Sequence, residues 1–311
     1  MGASSLLDTT LASPAKINLF LHITGRRADG YHLLQSVFCP ISLADTIQLR
    51  VQRLATPALH IERTGDLLHI PPDKDLTVRA LQAVYAAWAQ HQSQGLRISL
   101  HVDKRIPEEA GLGGGSSNAA TVLKALNTAL GCPLDADLLH HSALQLGADV
   151  PFFLAQKPAF VEGIGEKITP MPGLQGQVLV FKPPISCPTH EIFRDPELTR
   201  DSKDVKIAVF DSASRLESGV NNQCLLSFLS SSTCNVLQTV VEKRRPEWQQ
   251  YFNSFKQLVA TANPLLVRMT GSGSAMFAVF ASPSQLSSAQ QAVSGNPLMQ
   301  AGQVFGCSLL S

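Results

Sequence analysis

Ten consecutive residues, Gly111-Leu112-Gly113-Gly114-Gly115-Ser116-Ser117-Asn118-Ala119-Ala120, carry the strongest chemical signal in the chain. Glycines lack the Cβ that would hold an anion away from backbone N–H groups, and the N-terminus of a following helix adds unsatisfied donors and a favourable dipole. Ser116 or Ser117 can add a hydroxyl to a phosphate or to its metal ion, and Ser117 is taken as the metal candidate. The bland alternative is a turn that only tightens strand-to-helix packing. Four glycines, two serines and a helix in succession favour the anion site. The loop is not a P-loop, because no lysine follows the glycines before Lys124, well inside the helix. Nor is it a dinucleotide fingerprint, since Asp135 belongs to a helix cap and not to the end of a second strand.

Lys16 and Asn18 share one face of an alternating run, and Asp149 follows Gly147 in a break before Pro151. Taken alone, each charge reads as solvated surface; beside a phosphate loop they would be a cation and a base. Gly271-Ser272-Gly273-Ser274 is a second glycine-rich loop, either a plain hairpin turn or a cover over the same ligand. Tyr31, His32 and Phe193 stand beside turn residues, where aromatic rings either stack on a flat ligand or pack into a core. His140 and His141 read as helix surface, with no third ligand at metal spacing.

These residues need elements to hold them. Alternation of Ala15, Ile17, Leu19, Leu21 and Ile23 predicts a half-buried strand, with Lys16, Asn18, Phe20 and His22 on its other face. Ile47, Leu49 and Val51, then Ile98, Leu100 and Val102, predict two more strands. Asp75 opens a helix with the stripe Val78, Leu81, Tyr85 and Trp88. The glycine loop opens a helix that carries Ala119, Val122, Leu123, Leu126 and Leu130 and stops at Gly131 and Pro133. Asp135 caps a third, with Leu138, Leu139 and Leu146 inward. The stretch 163–176, with four glycines and two prolines, reads as a domain change and divides the chain into 1–165 and 166–311. Beyond it lie a strand at 178–181, helices at 221–229 and 249–261, and a strand at 275–280. The fold class is α+β.

With 311 residues, 25 basic against 24 acidic side chains and 44% hydrophobic residues, the chain can bury a core in each of two domains. A net charge of +1 lacks the footprint of a nucleic-acid binder, and no apolar run approaches the roughly 18 residues a membrane span needs. Residues 1–6 read as a disordered lead-in. Six cysteines scattered without Cys-x-x-Cys pairs fit a reducing cytoplasm.

Segments 13–37, 111–127, 146–154, 162–166 and 188–198 together resemble the GHMP small-molecule kinases, with their motifs in the same order. They are most similar to the branch whose alcohol substrate carries a cytidine diphosphate. The resemblance implies a two-domain α+β fold with the active site in the interdomain cleft. It implies ATP-dependent phosphorylation of the tertiary 2-hydroxyl of a cytidine diphosphate-linked methylerythritol, with Mg²⁺ bridging the phosphates. Asp149 would be the general base and Lys16 would hold it and the hydroxyl. Gly111, Leu112, Gly113, Gly114, Gly115, Ser116 and Ser117 would cradle the triphosphate, with Lys104, Pro107, Ala110 and Asn118 beside them and Asp75 near the adenine. Tyr31 and Phe193 would sandwich the cytosine and His32 would bond its edge. Asn18 and Thr189 would approach the methylerythritol and diphosphate end, and Gly271, Ser272 and Gly273 would line the substrate side. The expected partner is this small molecule alone, with no nucleic acid and no membrane, bound by a cytoplasmic monomer or weak homodimer. Two departures stand out: Glu109 occupies a usual glycine position, where it either points outward toward Lys104 or Arg105 or weakens nucleotide binding. Asp75 replaces a frequent asparagine and can only accept hydrogen bonds.

Overall fold

The computed structural model describes residues 5–206 and 221–311, so residues 1–4 of the expected lead-in lie outside the described residues. Strand β1 (Ser5–Arg26) already includes Ser5 and Leu6, which corrects the expected disorder there. The chain forms two compact units, and both are discontinuous in sequence. The first comprises Met1–Ala15, Ala44–Ile106 and Gly113–Gln156; the second comprises Lys16–Leu43, Pro107–Leu112 and Lys157–Ser311. Strands β1 and β2 (His32–Leu54) each contribute one part to either unit.

In the first unit the second part of β2 pairs antiparallel with β4 (Gly95–Asp103), and β4 pairs parallel with β3 (Leu59–Gly65). Ile47, Leu49 and Val51 stand opposite Val102, Leu100 and Ile98, so the two predicted alternations meet in register and all six side chains are buried. Helix α1 (Leu76–Ala89) buries Val78, Leu81, Val84 and Trp88. Helix α2 (Gly114–Ala129) buries Ala119, Val122, Leu123 and Leu126 and packs against α1. Helix α3 (Ala136–Leu146) is capped by Asp135, whose carboxylate accepts from Leu138 N–H at 2.9 Å. Leu138, expected inward, is 50% exposed. The inward face runs through Leu139, Ala143 and Leu146 at i, i+4 and i+7, and Leu138 lies about 100° off that line. The short helix α4 (Val150–Ala155) packs against α2 and α3.

In the second unit the first part of β2 pairs antiparallel with β5 (Ala159–Gly163), and β5 with β6 (Lys167–Pro170). A separate antiparallel sheet joins β10 (Gln303–Ser308), β7 (Gln177–Lys182), β9 (Met276–Phe280) and β8 (Leu266–Met269) in that order. The unit's helices are α5 (Thr189–Arg194), α6 (Asn221–Ser232), α7 (Val236–Arg244), α8 (Pro246–Ala260) and α9 (Pro283–Gly295). Trp248 of α8 is fully buried in one cluster with Phe181, Leu237, Phe255 and Phe280. Within this unit β1 is not half-buried as its alternation predicted: Lys16, Asn18, Phe20 and His22 are as buried as Ile17, Leu19 and Leu21. A polar face survives burial only when its groups find partners. For Lys16 and Asn18 those partners belong to the site. Among the described residues, no helix is long and apolar enough to cross a membrane.

Arg268 is 6% exposed and closes the C-terminal end of α6. It donates to the carbonyls of Leu229 (2.7 Å) and Thr233 (2.7 Å), to Thr233 Oγ1 (2.8 Å) and to Leu19 O on β1 (2.8 Å). Burial pushes its guanidinium down to about 10, which leaves it charged at neutral pH. A cation there suits both the orphan carbonyls and the helix dipole. Arg268→Met should cost about 3 kcal/mol or more in urea unfolding, because several buried carbonyls lose their donor at once. Arg268→Lys, with three donors, should cost less; equal losses for the two variants would refute the capping role.

Candidate functional site

The glycine motif divides between the units after Leu112. In the first unit, Gly113 stands at the N-cap of α2 with φ 71°, a left-handed turn that glycine adopts without strain. Gly114 and Gly115 lack side chains for different reasons. A Cβ on Gly114 would lie 3.0 Å from both Lys104 Nζ and Ile106 Cγ2, whereas one on Gly115 would meet nothing within 4 Å. The second case is open space at a helix N-terminus, where backbone N–H groups have no intrahelical acceptor. That is a place for an anion.

A residue without a motif holds this helix end. Asp45 is fully buried, and its Oδ1 accepts from the N–H groups of Arg105 (2.8 Å) and Ile106 (2.8 Å). Its Oδ2 accepts from Asn118 Nδ2 (3.0 Å) and pairs with the Lys104 ammonium. One carboxylate thus fixes the approach to the loop, the Lys104 charge and the first turn of α2. Asn118, expected to touch nucleotide, is fully buried and serves the loop through Asp45. Ser117 also turns inward: it is fully buried, and its Oγ accepts from Ser13 Oγ at 2.8 Å. The Ser117 hydroxyl, expected at a metal ion, is therefore engaged with Ser13, whereas Ser116, one residue earlier and about 100° round the helix, is half-buried.

Asp75 is 2% exposed and caps α1, with Oδ1 accepting from Thr77 N–H (2.9 Å) and Thr77 Oγ1 (2.6 Å) and Oδ2 paired to Arg63 at 2.7 Å. Its carboxylate therefore orients α1 and Arg63. Asp149 is half-buried immediately before α4 and does not cap that helix with its side chain.

In the second unit, Lys16 is 3% exposed, with its ammonium 2.6 Å from Asn18 Oδ1 and 4.8 Å from the centre of the Phe38 ring. Asn18 Nδ2 donates to Ser36 Oγ (3.0 Å), and Asn18 N–H donates to Thr270 Oγ1 (3.0 Å). Asn18 is fully buried, so it orients Lys16. The Lys16 N–H donates to Leu112 O at 2.9 Å, which ties β1 to the glycine motif.

The second glycine-rich loop is more than a hairpin turn. Ala275 N–H donates to Ala110 O (3.2 Å) and Ser274 N–H to Glu109 O (3.3 Å). A Cβ on Gly111 would fall 2.2 Å from Thr270 O, and one on Gly271 would fall 2.9 Å from Gly111 O. The two loops touch backbone to backbone, and only glycine allows it. Pro107 joins Ala110, Gly111 and Leu112 in this unit. The loop is held from behind by Trp248 Nε1 on Ser274 O (2.7 Å) and by Asn235 Nδ2 on Met269 O (2.9 Å) and Gly271 O (2.8 Å). Ser272 Oγ is 2.8 Å from Thr189 Oγ1 on α5. Glu109 has φ 50°, a left-handed conformation that favours glycine, and its carboxylate accepts from Ser186 Oγ. Its anchor is therefore Ser186, a partner that was not expected.

Tyr31 is 60% exposed at a turn, which rules out core packing. His32 lies with its ring centre 5.5 Å from that of Phe193, and its Nε2 accepts from Arg200 Nε at 3.1 Å. Burial, then the positive charges of Arg200 and Arg26, hold the imidazole below its usual range. Asp45, Ser36, Thr270, Asn235 and Arg200 were not found by sequence reasoning. The first four are polar side chains inside or beside apolar runs, whereas Arg200 is one of several charged residues in the stretch Thr199 to Asp204.

Comparison with known proteins fits this geometry. The family model for the GHMP kinases N terminal domain matches residues 75–157, and that for GHMP kinases C terminal matches 221–297. A solved homoserine kinase from Cytophaga hutchinsonii shares the fold at TM-score 0.69 and 15% identity, over 97% of this chain and 94% of that one. The fold is thus that of the GHMP kinases. A protein from Xanthomonas euvesicatoria named 4-diphosphocytidyl-2-C-methyl-D-erythritol kinase is 41% identical over 282 residues, 90% of this chain and 85% of its own. One of the same name from Thiobacillus denitrificans is 40% identical over 287 residues, 92% of each chain. A crystal structure of 4-(cytidine 5'-diphospho)-2C-methyl-D-erythritol kinase aligns at TM-score 0.74 and 31% identity, over 97% of this chain and 100% of that one. The chain belongs to the 4-diphosphocytidyl-2-C-methyl-D-erythritol kinase family of GHMP kinases.

The glycines make separable predictions. Gly111→Ala should lose more than about 2 kcal/mol in urea unfolding, since its methyl group meets the Thr270 carbonyl and φ is positive. Gly115→Ala should gain up to about 1 kcal/mol from helix propensity while weakening nucleotide binding. A Gly115→Ala protein with unaltered nucleotide affinity by calorimetry would remove the phosphate from that helix end.

Proposed function

We propose that this chain transfers the γ-phosphoryl group of ATP to the tertiary 2-hydroxyl of 4-diphosphocytidyl-2-C-methyl-D-erythritol. The observation that carries the transfer is the uncovered N-terminus of α2 at Gly115. The names and high coverage of the relatives support the acceptor. Asp149 takes the hydroxyl proton, the oxygen attacks the γ-phosphorus, and ADP leaves with the electron pair of the broken P–O bond. Lys16, held by Asn18 and the face of Phe38, supplies positive charge to the reacting oxygens. Backbone N–H groups from Gly113 to Ser116, with Lys104, hold the phosphates; in phosphoryl transfer such positioning and charge stabilisation do most of the catalysis.

Mg²⁺ fits the donor set. Among the described residues no cluster of three His, Cys, Asp or Glu side chains could hold a metal. The hydroxyl of Ser116, together with phosphate oxygens and water, suits an ion that prefers a few protein ligands and arrives with its nucleotide. When bound, the ion offsets phosphate charge. Tyr31 and Phe193 flank the cytosine, His32 bonds its edge, and Thr189, Ser272, Gly271 and Gly273 lie toward the diphosphate. Asp75 acts on the adenine end through α1. The family matches fall on either side of the expected division into 1–165 and 166–311, but residues 16–43 and 107–112 pack with the second unit, so the two kinase domains interleave along the chain. The enzyme works in the cytoplasm on a small molecule, as a monomer or weak homodimer, without nucleic acid or membrane.

A coupled ADP-release assay with the cytidyl substrate tests this reading. Turnover of homoserine or mevalonate in its place would overturn it. Asp149→Asn should lower kcat by about 10²–10⁴ and leave the KM for ATP nearly unchanged, and Lys16→Met should be comparably damaging. Tyr31→Ala should raise the KM for the cytidyl substrate with little change in kcat, as lost stacking affects ground and transition states alike.

A further inference from the structure

Arg200 is a half-buried guanidinium whose hydrogen bonds among the described residues go to one short segment and one ring. Its terminal nitrogens donate to the carbonyls of Leu198 (3.0 Å), Phe193 (3.2 Å) and Asp195 (2.7 Å). These three bonds fold the end of α5 and the segment after it around the guanidinium and leave Nε–H aimed at His32 Nε2, 3.1 Å away. A guanidinium only donates, so Nε2 must be the unprotonated nitrogen and the ring proton must sit on Nδ1. An imidazolium could not accept this bond.

We propose that Arg200 is a positioning residue for substrate recognition: its Nε–H locks His32 in the neutral Nδ1–H form, so that the imidazole beside Phe193 offers the bound base one donor and no acceptor. The inference rests on the reading that the substrate carries cytosine, whose O2 and N3 are acceptors. The two guanidinium groups acting on the ring, Arg200 and Arg26, both oppose its protonation, as does burial. The lock therefore holds at neutral pH. As pH falls and the ring gains its second proton, Nε2–H and the Arg200 Nε–H become two donors facing each other, and the geometry at the base is lost.

Nitrogen NMR of the free, ¹⁵N-labelled protein reads the tautomer without substrate. His32 should show protonated Nδ1 and unprotonated Nε2, and Arg200→Met should convert this to a mixture. In kinetics, Arg200→Met should raise the KM for the cytidyl substrate roughly twofold to fivefold, the cost of drawing the required tautomer from a mixture, with kcat and the KM for ATP little changed. The climb of that KM at low pH should be blunted in the variant, because no guanidinium N–H then faces the second ring proton. His32→Asn keeps a donor at the Nδ1 position with no tautomer to lock, so Arg200→Met should add almost nothing in that background. A protonated Nε2 in the wild type, or an undiminished Arg200→Met effect beside His32→Asn, overturns the proposal. So does a joint loss of kcat, both KM values and unfolding cooperativity, which marks a structural arginine. If the wild-type enzyme does not turn over the cytidyl substrate, the functional reading fails, while the ring spectrum still decides the lock.

Discussion

An anion-binding helix end has to present bare backbone, so nothing at its tip can hold it in place. The support must come from elsewhere. In the first unit it comes from Asp45, a buried carboxylate that collects two backbone N–H groups, the Asn118 amide and the Lys104 ammonium. A carboxylate with four donors tolerates burial that an unpaired one would not. It does so without covering Gly115, whose missing side chain leaves the space in front of the helix open. Ser13 does the same on the inner side through the Ser117 hydroxyl, and Thr121 Oγ1 donates in turn to Ser13 Oγ.

The second unit meets the same demand by backbone contact. Gly111 and the Thr270 carbonyl approach so closely that no Cβ fits, and the 270–275 segment is anchored in turn by Trp248 and Asn235 from the hydrophobic core. Thr270 also joins Asn18, and Asn18 joins Lys16. A core tryptophan, a cap residue of α7 and a buried lysine are thereby linked through a few hydrogen bonds. Rigidity of this kind places the Lys16 charge without relying on a flexible surface side chain. Arg268 stabilises the neighbouring chain by filling the carbonyl end of α6 and reaching Leu19 O on the same strand as Lys16.

Much of the local architecture was legible. The alternations at 47–51 and 98–102 became paired strands, the caps at Asp75 and Asp135 opened their helices, and the glycine motif opened α2. These signals depend on residues within one or two turns of each other. The failures share one cause. Alternation in β1 says which residues share a face, but not that both faces are covered. The serine pair in the glycine motif says that hydroxyls are present, but not which one the helix turns toward Ser13, 104 residues away. For Glu109 no local signal marks its anchor, since Ser186 lies 77 residues on.

By itself, then, the amino-acid order determined where the helices and strands run, where bare backbone could meet a phosphate, and the likeness to a kinase family, because periodicity, capping and glycine content act over short distances. Tertiary structure alone decided which polar side chains are buried and whom each one serves: Asp45 beneath the loop, Asn18 behind Lys16, Arg200 behind His32. The partners that make such burial tolerable are separated by up to 252 residues in the chain. No local pattern records them, since desolvation is decided by whatever packs on top.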